Sequence, residues 1–341
     1  MTGTLALGTV LAPLDKPRFT EAHVVRWMGA QQNWDRIHFD QAFCRDVARL
    51  ERPVINGALK QHLIVQFLAG AVPGAWPWRI DYQFRGPDWV GEKLQVRGTV
   101  GASRPVGDRV LLDVDVQLAS LDRNEVTTRG RATLLLPPGD EPVLHALGFE
   151  GPGELALPLL ADQVDDDTLE AAREWLGREL ERRESKYPVD FSRLRLFADA
   201  VMDLDPVHFD PDVPSPWGGV VAPPLFPLHG LEARPGTYPL SEARDSQGRE
   251  AVNEVGRDLA TRFGFRAAGG MNAGNRVQVH SLARAGERIA VTSTLVSARR
   301  RSGSRGGDMV FFESLNAYRT TEGRPLLTER QSTVVRLLGA G

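Results

Sequence analysis

An internal repeat constrains the fold of this chain more than any other feature. The segment "NWDRIHFD", residues 33 to 40, returns as "DLDPVHFD", residues 203 to 210, so that the two histidines lie 170 positions apart. That separation is half of the 341-residue chain, a length that suits two domains of ordinary size. The repeat therefore predicts two domains built on one plan.

The similarity continues beyond each histidine. In the first half, residues 51 to 70, "ERPVINGALKQHLIVQFLAG", run from a turn into an apolar segment in which Leu59, Leu63 and Phe67 keep helical spacing. This pattern predicts a mostly buried helix that starts near Gly57. In the second half, "WGGVVAPPLFPLHG", residues 217 to 230, occupies the corresponding place.

Strand patterns follow in both halves. Gly91 in "WVGEKLQVRGTV" corresponds to Gly286 in "RAGERIAVTSTLV", and each glycine turn leads into alternating polar and apolar residues. Two further alternating segments follow in each half and are joined by turns at residues 122–124 and 321–323. A histidine loop, a central helix and a run of antiparallel strands is the order expected when a sheet wraps round one helix. The predicted fold class is therefore α+β, in two copies.

The boundary between the halves is marked by composition. Residues 137 to 159 are rich in proline and glycine and show little periodicity, which is typical of a linker. We predict one domain over residues 1–138, a linker over 139–160 and a second domain over 161–341. Residues 165 to 184 are acidic at their start and basic towards their end, and one face carries apolar residues, so we predict a helix that opens the second domain.

Composition narrows the function classes. A net charge of -3 with 25% charged residues gives no excess of positive charge for a nucleic acid or a membrane surface. Cys44 is the only cysteine, which excludes an intramolecular disulfide and a cysteine-based zinc site and fits a reducing compartment. The N-terminal segment has no basic start before its apolar run, and no apolar run has a membrane-spanning length. We therefore expect a cytoplasmic protein.

These segments resemble a known family. The first half is similar to the MaoC-like, or R-specific, enoyl-CoA hydratases, whose fingerprint Gly-Asp-x-Asn-Pro-Leu-His is followed by a His-Gly that opens the central helix of a hot-dog fold. The second half resembles the N-terminal domain type of two-domain MaoC dehydratases through "FADAVMDLDPVHFDP", "GGVVAPPLF" and "TERQSTVVR". The order of the halves is reversed relative to many fused members. The resemblance implies tandem hot-dog domains that form a pseudo-dimer within one chain.

The resemblance also implies a reaction. Members of this family hydrate a 2-enoyl-CoA reversibly to an R-3-hydroxyacyl-CoA, without a metal or a redox cofactor. An Asp and a His activate the water, and a backbone N–H at the helix start binds the thioester oxygen, where negative charge develops. The expected partner is an acyl-CoA thioester, with CoA present only as part of the substrate. Whether the chain associates further into a homodimer or a higher oligomer stays open, because a pseudo-dimer can act alone.

The two copies depart from the family pattern in opposite ways. In the first copy Asn33 replaces the aspartate, so that His38 would be the sole base, whereas Asn56 and Gly57 preserve the helix start and its amide. An Asn before "RIHFD" is also similar to the mesaconyl-CoA hydratase variant of the motif. Arg36, where the family has proline, either meets a substrate carboxylate or is simply exposed.

The second copy keeps the acid and the base. Asp203 and His208 are both present, but Ala222-Pro223-Pro224 stands where the family has His-Gly, and proline has no N–H to donate. We therefore predict that the first half is the working site and that the second half grips the CoA tail or completes the pocket wall. A composite site shared by the two halves stays open.

Two other functions remain open at this stage. Hot-dog folds also host acyl-CoA thioesterases, in which an acidic residue directs water at the carbonyl carbon. The broken motif in each half also suits a non-catalytic protein that binds acyl-CoA and supports another hydratase subunit. Release of free thiol, or the absence of any hydration, would distinguish these functions from hydration.

Overall fold

The computed structural model describes most of both predicted halves. The described residues are 5–106, 109–136, 169–213, 219–231, 262–265, 267–302 and 308–337. The predicted linker, residues 139–160, lies outside them. No described helix is both long and apolar enough to cross a lipid bilayer.

Ten strands account for most of the described chain. Five belong to the first half: β1 (Leu14–Arg18), β2 (Trp76–Phe84), β3 (Lys93–Val106), β4 (Arg109–Ser120) and β5 (Glu125–Leu136). Five belong to the second half: β6 (Glu179–Glu184), β7 (Ala267–Val279), β8 (Ile289–Ser302), β9 (Asp308–Thr320) and β10 (Pro325–Leu337). The helices are α1 (Glu21–Gln31), α2 (Gln41–Phe43), α3 (Gly57–Ala71), α4 (Glu170–Arg173) and α5 (Phe191–Val201).

The strands form one antiparallel sheet whose order is itself symmetric. The order is β1-β3-β4-β5-β2-β7-β10-β9-β8-β6, so the second half repeats the first in reverse about the β2–β7 pair. The two strands pair from Arg79, opposite Gln278, to Gln83, opposite Gly274. A Cβ atom on Gly274 would lie 2.5 Å from the carbonyl oxygen of Tyr82, so glycine permits this close approach. The two halves thus share one continuous sheet.

The central helix of the first half begins where the sequence predicted it. Asn56 caps α3 by accepting a hydrogen bond from the amide of Ala58 at 2.8 Å, which satisfies one amide of the first turn. Leu59, Leu63 and Phe67 are fully buried against the surrounding sheet. The predicted turns before β3 and β8 also form, with Gly91 and Gly286 at positive φ.

The second half has no matching helix among its described residues. Pro223 and Pro224 follow the histidine loop and lead into a short 3-10 turn, Phe226–His229. Proline cannot donate the backbone hydrogen bonds of a helix interior, so this start differs from that of α3. Phe226 is nevertheless fully buried.

The predicted helix over residues 165–184 is wrong over most of its length. Only α4 is helical, and Leu169 and Ala172 do face a core. Gly177 then takes a positive φ of 74°, and the chain turns into β6, which pairs with β8 as an edge strand. Pairing with an exposed strand edge outweighed the helical pattern of charges in this segment.

Three helices, α1, α2 and α5, and four strands were not predicted from the sequence. Helices α1 and α5 each precede a histidine loop and pack against each other, with the Trp27 and Phe197 rings 5.5 Å apart. These residues are also 170 positions apart. Their contact places the two histidine loops on either side of one helix pair. The unpredicted strands are β1, β2, β6 and β7.

Candidate active site

The two histidine loops have the same backbone design. Asp35 caps a 3-10 turn over Arg36–His38, and Asp205 caps the matching turn over Pro206–His208. Each capping carboxylate accepts from a backbone amide two residues later at 3.1 Å. Both histidines therefore lie at the end of a rigid turn.

Each histidine is oriented by a backbone carbonyl. Nδ1 of His38 lies 2.8 Å from the oxygen of Val54, and Nδ1 of His208 lies 2.8 Å from the oxygen of Val221. A carbonyl only accepts, so Nδ1 carries the proton in each ring and Nε2 presents a lone pair. The two histidines thus share one tautomer, in which Nε2 carries no proton and can accept a hydrogen bond.

In the first half, that lone pair is occupied. Asn56 Nδ2 lies 3.1 Å from His38 Nε2, and because Asn56 Oδ1 accepts from the Ala58 amide, the NH₂ group must face the ring. Asn33 Oδ1 accepts from the Asp35 amide at 3.1 Å. The side chains of this loop are therefore engaged with one another.

Burial disfavours the charged forms of two groups in the first loop, His38 and Asp35. Desolvation lowers the pKa of His38 to about 4, against the opposing effect of its bond to Val54. Desolvation likewise raises the pKa of Asp35 to about 6, although the Ile37 amide favours its ionised form. A neutral, hydrogen-bonded ring suits a structural histidine.

In the second half, the lone pair faces a carboxylate. Asp203 Oδ2 lies 3.7 Å from His208 Nε2, beyond a direct hydrogen bond, while Asp203 Oδ1 accepts from the Asp205 amide at 3.2 Å. Pro223 takes the place of Asn56 and has no side-chain amide to offer. The carboxylate and the ring are separated by a distance over which one water could bond to both.

The helix start differs between the halves as well. Gly57 begins α3, and a Cβ atom there would lie 3.0 Å from the Phe84 ring. Its amide donates to no described residue, and its role as an oxyanion donor stays a prediction. Pro224, the corresponding residue, has no N–H, but the amide of Leu225 directly after it also lacks an acceptor among the described residues.

Comparison with known proteins shows which proteins the chain is similar to. Residues 174–329 match a family described as "FAS1-like, dehydratase domain region". A MaoC domain protein dehydratase from Chloroflexus aurantiacus is similar in structure, with 13% identity, 98% of this chain and 97% of that chain covered, and a TM-score of 0.61. A conserved hypothetical protein of Mycobacterium tuberculosis with a double hotdog fold gives 12% identity, 97% coverage of both chains and a TM-score of 0.56. The chain has the MaoC-like double hot-dog fold.

The predicted resemblance and fold class are thus confirmed. A MaoC-like dehydratase from Phytophthora capsici shares the fold at 13% identity, covering 98% of this chain and 97% of that one, with a TM-score of 0.50. No curated protein matches the sequence. The matched dehydratase region begins after the predicted linker, so it contains the loop with Asp203 and His208.

Arg36 has an intramolecular partner in this fold. Its Nε and Nη2 atoms both contact Asp40 Oδ2, at 2.9 and 2.6 Å, and its guanidinium lies 4.6 Å from the centroid of the Phe43 ring. The residue is half-buried rather than exposed. This arrangement stabilises the start of α2 and leaves the proposed contact with a substrate carboxylate as a prediction.

Two polar residues near the second loop were missed as site residues. Lys16 on β1 and Gln66 on α3 belong to the first half but bond to the backbone just before Asp203. A glutamine among the apolar residues of the second half of α3 was a signal in the sequence. The contact of Lys16, 186 positions from its partner, left no local signal.

Proposed function

We propose that this protein is a hydro-lyase that adds water reversibly to the double bond of a 2-enoyl thioester, with Asp203 and His208 as its acid-base pair. The match to a dehydratase family region supports water addition or removal as the class of reaction. One observation carries the assignment of the site: His208 Nε2 faces Asp203 Oδ2 at 3.7 Å, whereas His38 Nε2 is already bonded to Asn56. This proposal moves the working site from the first half to the second.

The geometry supports a separate role for His208 and for Asp203 in the reaction. Nδ1–H of His208 is held by Val221, so Nε2 is the atom that removes a proton from the attacking water. Asp203 Oδ2 accepts the second hydrogen of that water and orients its oxygen toward C3 of the substrate. The protonated ring then delivers its proton to C2, and the atoms of one water are added across the double bond. Dehydration follows the same steps in reverse.

The thioester oxygen needs a hydrogen-bond donor while negative charge develops on it. Pro224 cannot supply an amide, and we assign this role to the amide of Leu225, which has no acceptor among the described residues. In other enzymes, a fixed donor of this kind lowers the activation barrier by roughly 3 kcal/mol. Gly57 has a similar backbone amide in the first half, but there the His38 ring accepts a hydrogen bond from Asn56.

The substrate is proposed from the family resemblance. We expect a CoA thioester and an R-3-hydroxyacyl product, with water as the only other reactant and no metal or redox cofactor. The first half would then support the second and complete the wall of the acyl pocket.

A substrate panel tests this function. Crotonyl-, mesaconyl-, long-chain and sterol-derived enoyl-CoA thioesters should be followed through the loss of enoyl absorbance and, in parallel, through the release of free thiol. Hydration of at least one thioester without thiol release is expected, and Asp203→Asn should abolish it. Thiol release in place of hydration would identify a thioesterase, and neither signal with any thioester would favour a non-catalytic acyl-CoA-binding partner.

A further inference from the structure

Residues of the first half secure the end of the helix that carries the second loop. Helix α5 ends at Val201, and Met202 follows in a left-handed conformation with φ 56°. The last carbonyls of a helix have no intrahelical partner. Here the oxygen of Val201 accepts from Gln66 Nε2 at 2.8 Å, and the oxygen of Met202 accepts from Lys16 Nζ at 2.8 Å. Asp203 is the next residue.

The two donors are joined to each other. Lys16 Nζ also donates to Gln66 Oε1 at 2.5 Å, so the amide of Gln66 is oriented with its NH₂ group toward Val201. Lys16 is buried, with 8% of its surface exposed. We call Lys16 and Gln66, with their bonds to Val201 and Met202, the cross-half clamp.

Lys16 also acts on the loop through its charge. An ammonium group is costly to bury, and its two hydrogen-bond acceptors are neutral oxygens. Burial lowers the pKa of Lys16, and the nearby carboxylate of Asp203 opposes this by favouring the charged form. The lysine therefore supplies positive charge beside the carboxylate of the proposed pair.

In the described part of the chain, no side chain of the second half donates to the carbonyls of Gln31 and Gln32, which precede Asn33. The described clamp thus lies beside the loop that carries the proposed chemistry.

We propose that Lys16 and Gln66 are positioning residues for the reaction, which hold Asp203 in register with His208. This inference rests on the proposed function of Asp203 and His208. The reaction at Asp203 and His208 in the second half then depends on Lys16 and Gln66 in the first half. Neither of these two residues is expected to contact the substrate.

Lys16→Met tests this dependence in the full-length protein. The variant should lower kcat for enoyl-CoA hydration by about tenfold with KM within about twofold, since the reacting groups are displaced and substrate contacts remain. Arg18→Met is the matched control, because Arg18 lies on the same strand but is exposed and pairs with Asp122. Gln66→Leu should also lower kcat, while leaving the charge of Lys16 in place.

Rescue by a conservative variant separates a positioning role from a merely structural one. Lys16→Arg keeps a long side chain that can donate to the carbonyl of Met202, so it should retain most of the kcat that Lys16→Met loses. The Asp203–His208 pair and the exposed Asp199–Arg26 pair are unchanged in these variants.

A double variant makes the test independent of folding defects. In an Asp203→Asn background, Lys16→Met should add no further loss of kcat, because the group on which it acts is gone. Full activity of Lys16→Met and Gln66→Leu, or equal losses with and without Asp203, would overturn the clamp and leave the proposed pair intact. Full activity of Asp203→Asn would instead overturn the proposed function itself.

Discussion

The loops around His38 and His208 show how one scaffold can hold a histidine for two purposes. In both, an aspartate caps the turn and a valine carbonyl binds Nδ1 at 2.8 Å. They differ in the group that meets Nε2, which is the Asn56 amide in one loop and the Asp203 carboxylate in the other. A donor occupies the lone pair of the ring, whereas a carboxylate at 3.7 Å leaves room for a water. The backbone therefore positions the histidine, and one neighbouring side chain decides its chemistry.

The largest effect is expected from making the second loop resemble the first. Asp203→Asn replaces the carboxylate with the amide that Asn33 already provides in the first loop. The amide has no negative charge with which to orient the attacking water or to stabilise the imidazolium that forms at His208, so kcat for hydration should fall by at least about 100-fold. Steady-state kinetics on the best CoA thioester measures this, with Asn33→Ala as the control that should retain most of the activity. A fall of less than about threefold for Asp203→Asn would show that the carboxylate is not required.

The pH dependence of the free energy of unfolding should show whether His38, in the first loop, is buried in its neutral form. Burial lowers the pKa of His38 to about 4, so the folded state favours the neutral ring. This contribution to stability is present above about pH 6.5 and is lost as the pH falls toward 4, amounting to about 2 kcal/mol at pH 5. Urea unfolding at pH 7.5 and pH 5 should therefore show a smaller acid loss in His38→Asn than in the natural protein.

Asp35 is present in both proteins of that comparison, so its opposing titration cancels in the difference. Burial raises the pKa of Asp35 to about 6, and its stabilising effect is lost as the pH rises through that value. Equal acid losses with and without His38 would contradict the buried, neutral state of this ring.

A smaller effect on kcat is expected when a side-chain amide like that of Asn56 is introduced at the corresponding position of the second half. Pro223→Asn places an amide where Asn56 stands in the first loop, from which it can donate to His208 Nε2. One such hydrogen bond contributes about 1 kcal/mol and competes with the water, so kcat should fall by about fivefold. Pro223→Ala removes the ring without adding a donor and should remain close to the natural rate. Equal rates for the two variants would show that occupancy of Nε2 does not separate the loops.

Much of the fold could be predicted from sequence because the repeat and the strand patterns are local signals. The start of α3 at Gly57, the turns at Gly91 and Gly286 and the α+β class all followed from short segments. The helix predicted over residues 165–184 failed because α4 ends at Arg173, the chain turns at Gly177, and β6 then pairs with the edge of the sheet at β8. That outcome depends on residues more than 100 positions away, which a local pattern does not contain.

The site was predicted in part for the same reason. The spacing of the two phrases identified His38, His208 and Asp203, and the prolines were correctly seen to remove an amide. The choice between the halves depended on Asn56, whose amide reaches a ring 18 positions earlier in the chain. Asn56 was predicted, together with Gly57, at the helix start that binds the thioester, and this binding role stays a prediction. In this structure its side chain caps α3 and donates to the His38 ring.

The most direct test of the account compares His208→Ala with His38→Ala in one hydration assay on the same CoA thioester. The two substitutions remove the same ring from the same backbone setting, so a general effect of truncation is shared. The account predicts that His208→Ala loses at least about 100-fold in kcat, whereas His38→Ala stays within about fivefold of the natural protein. The reverse ranking would place the chemistry in the first half and contradict the account.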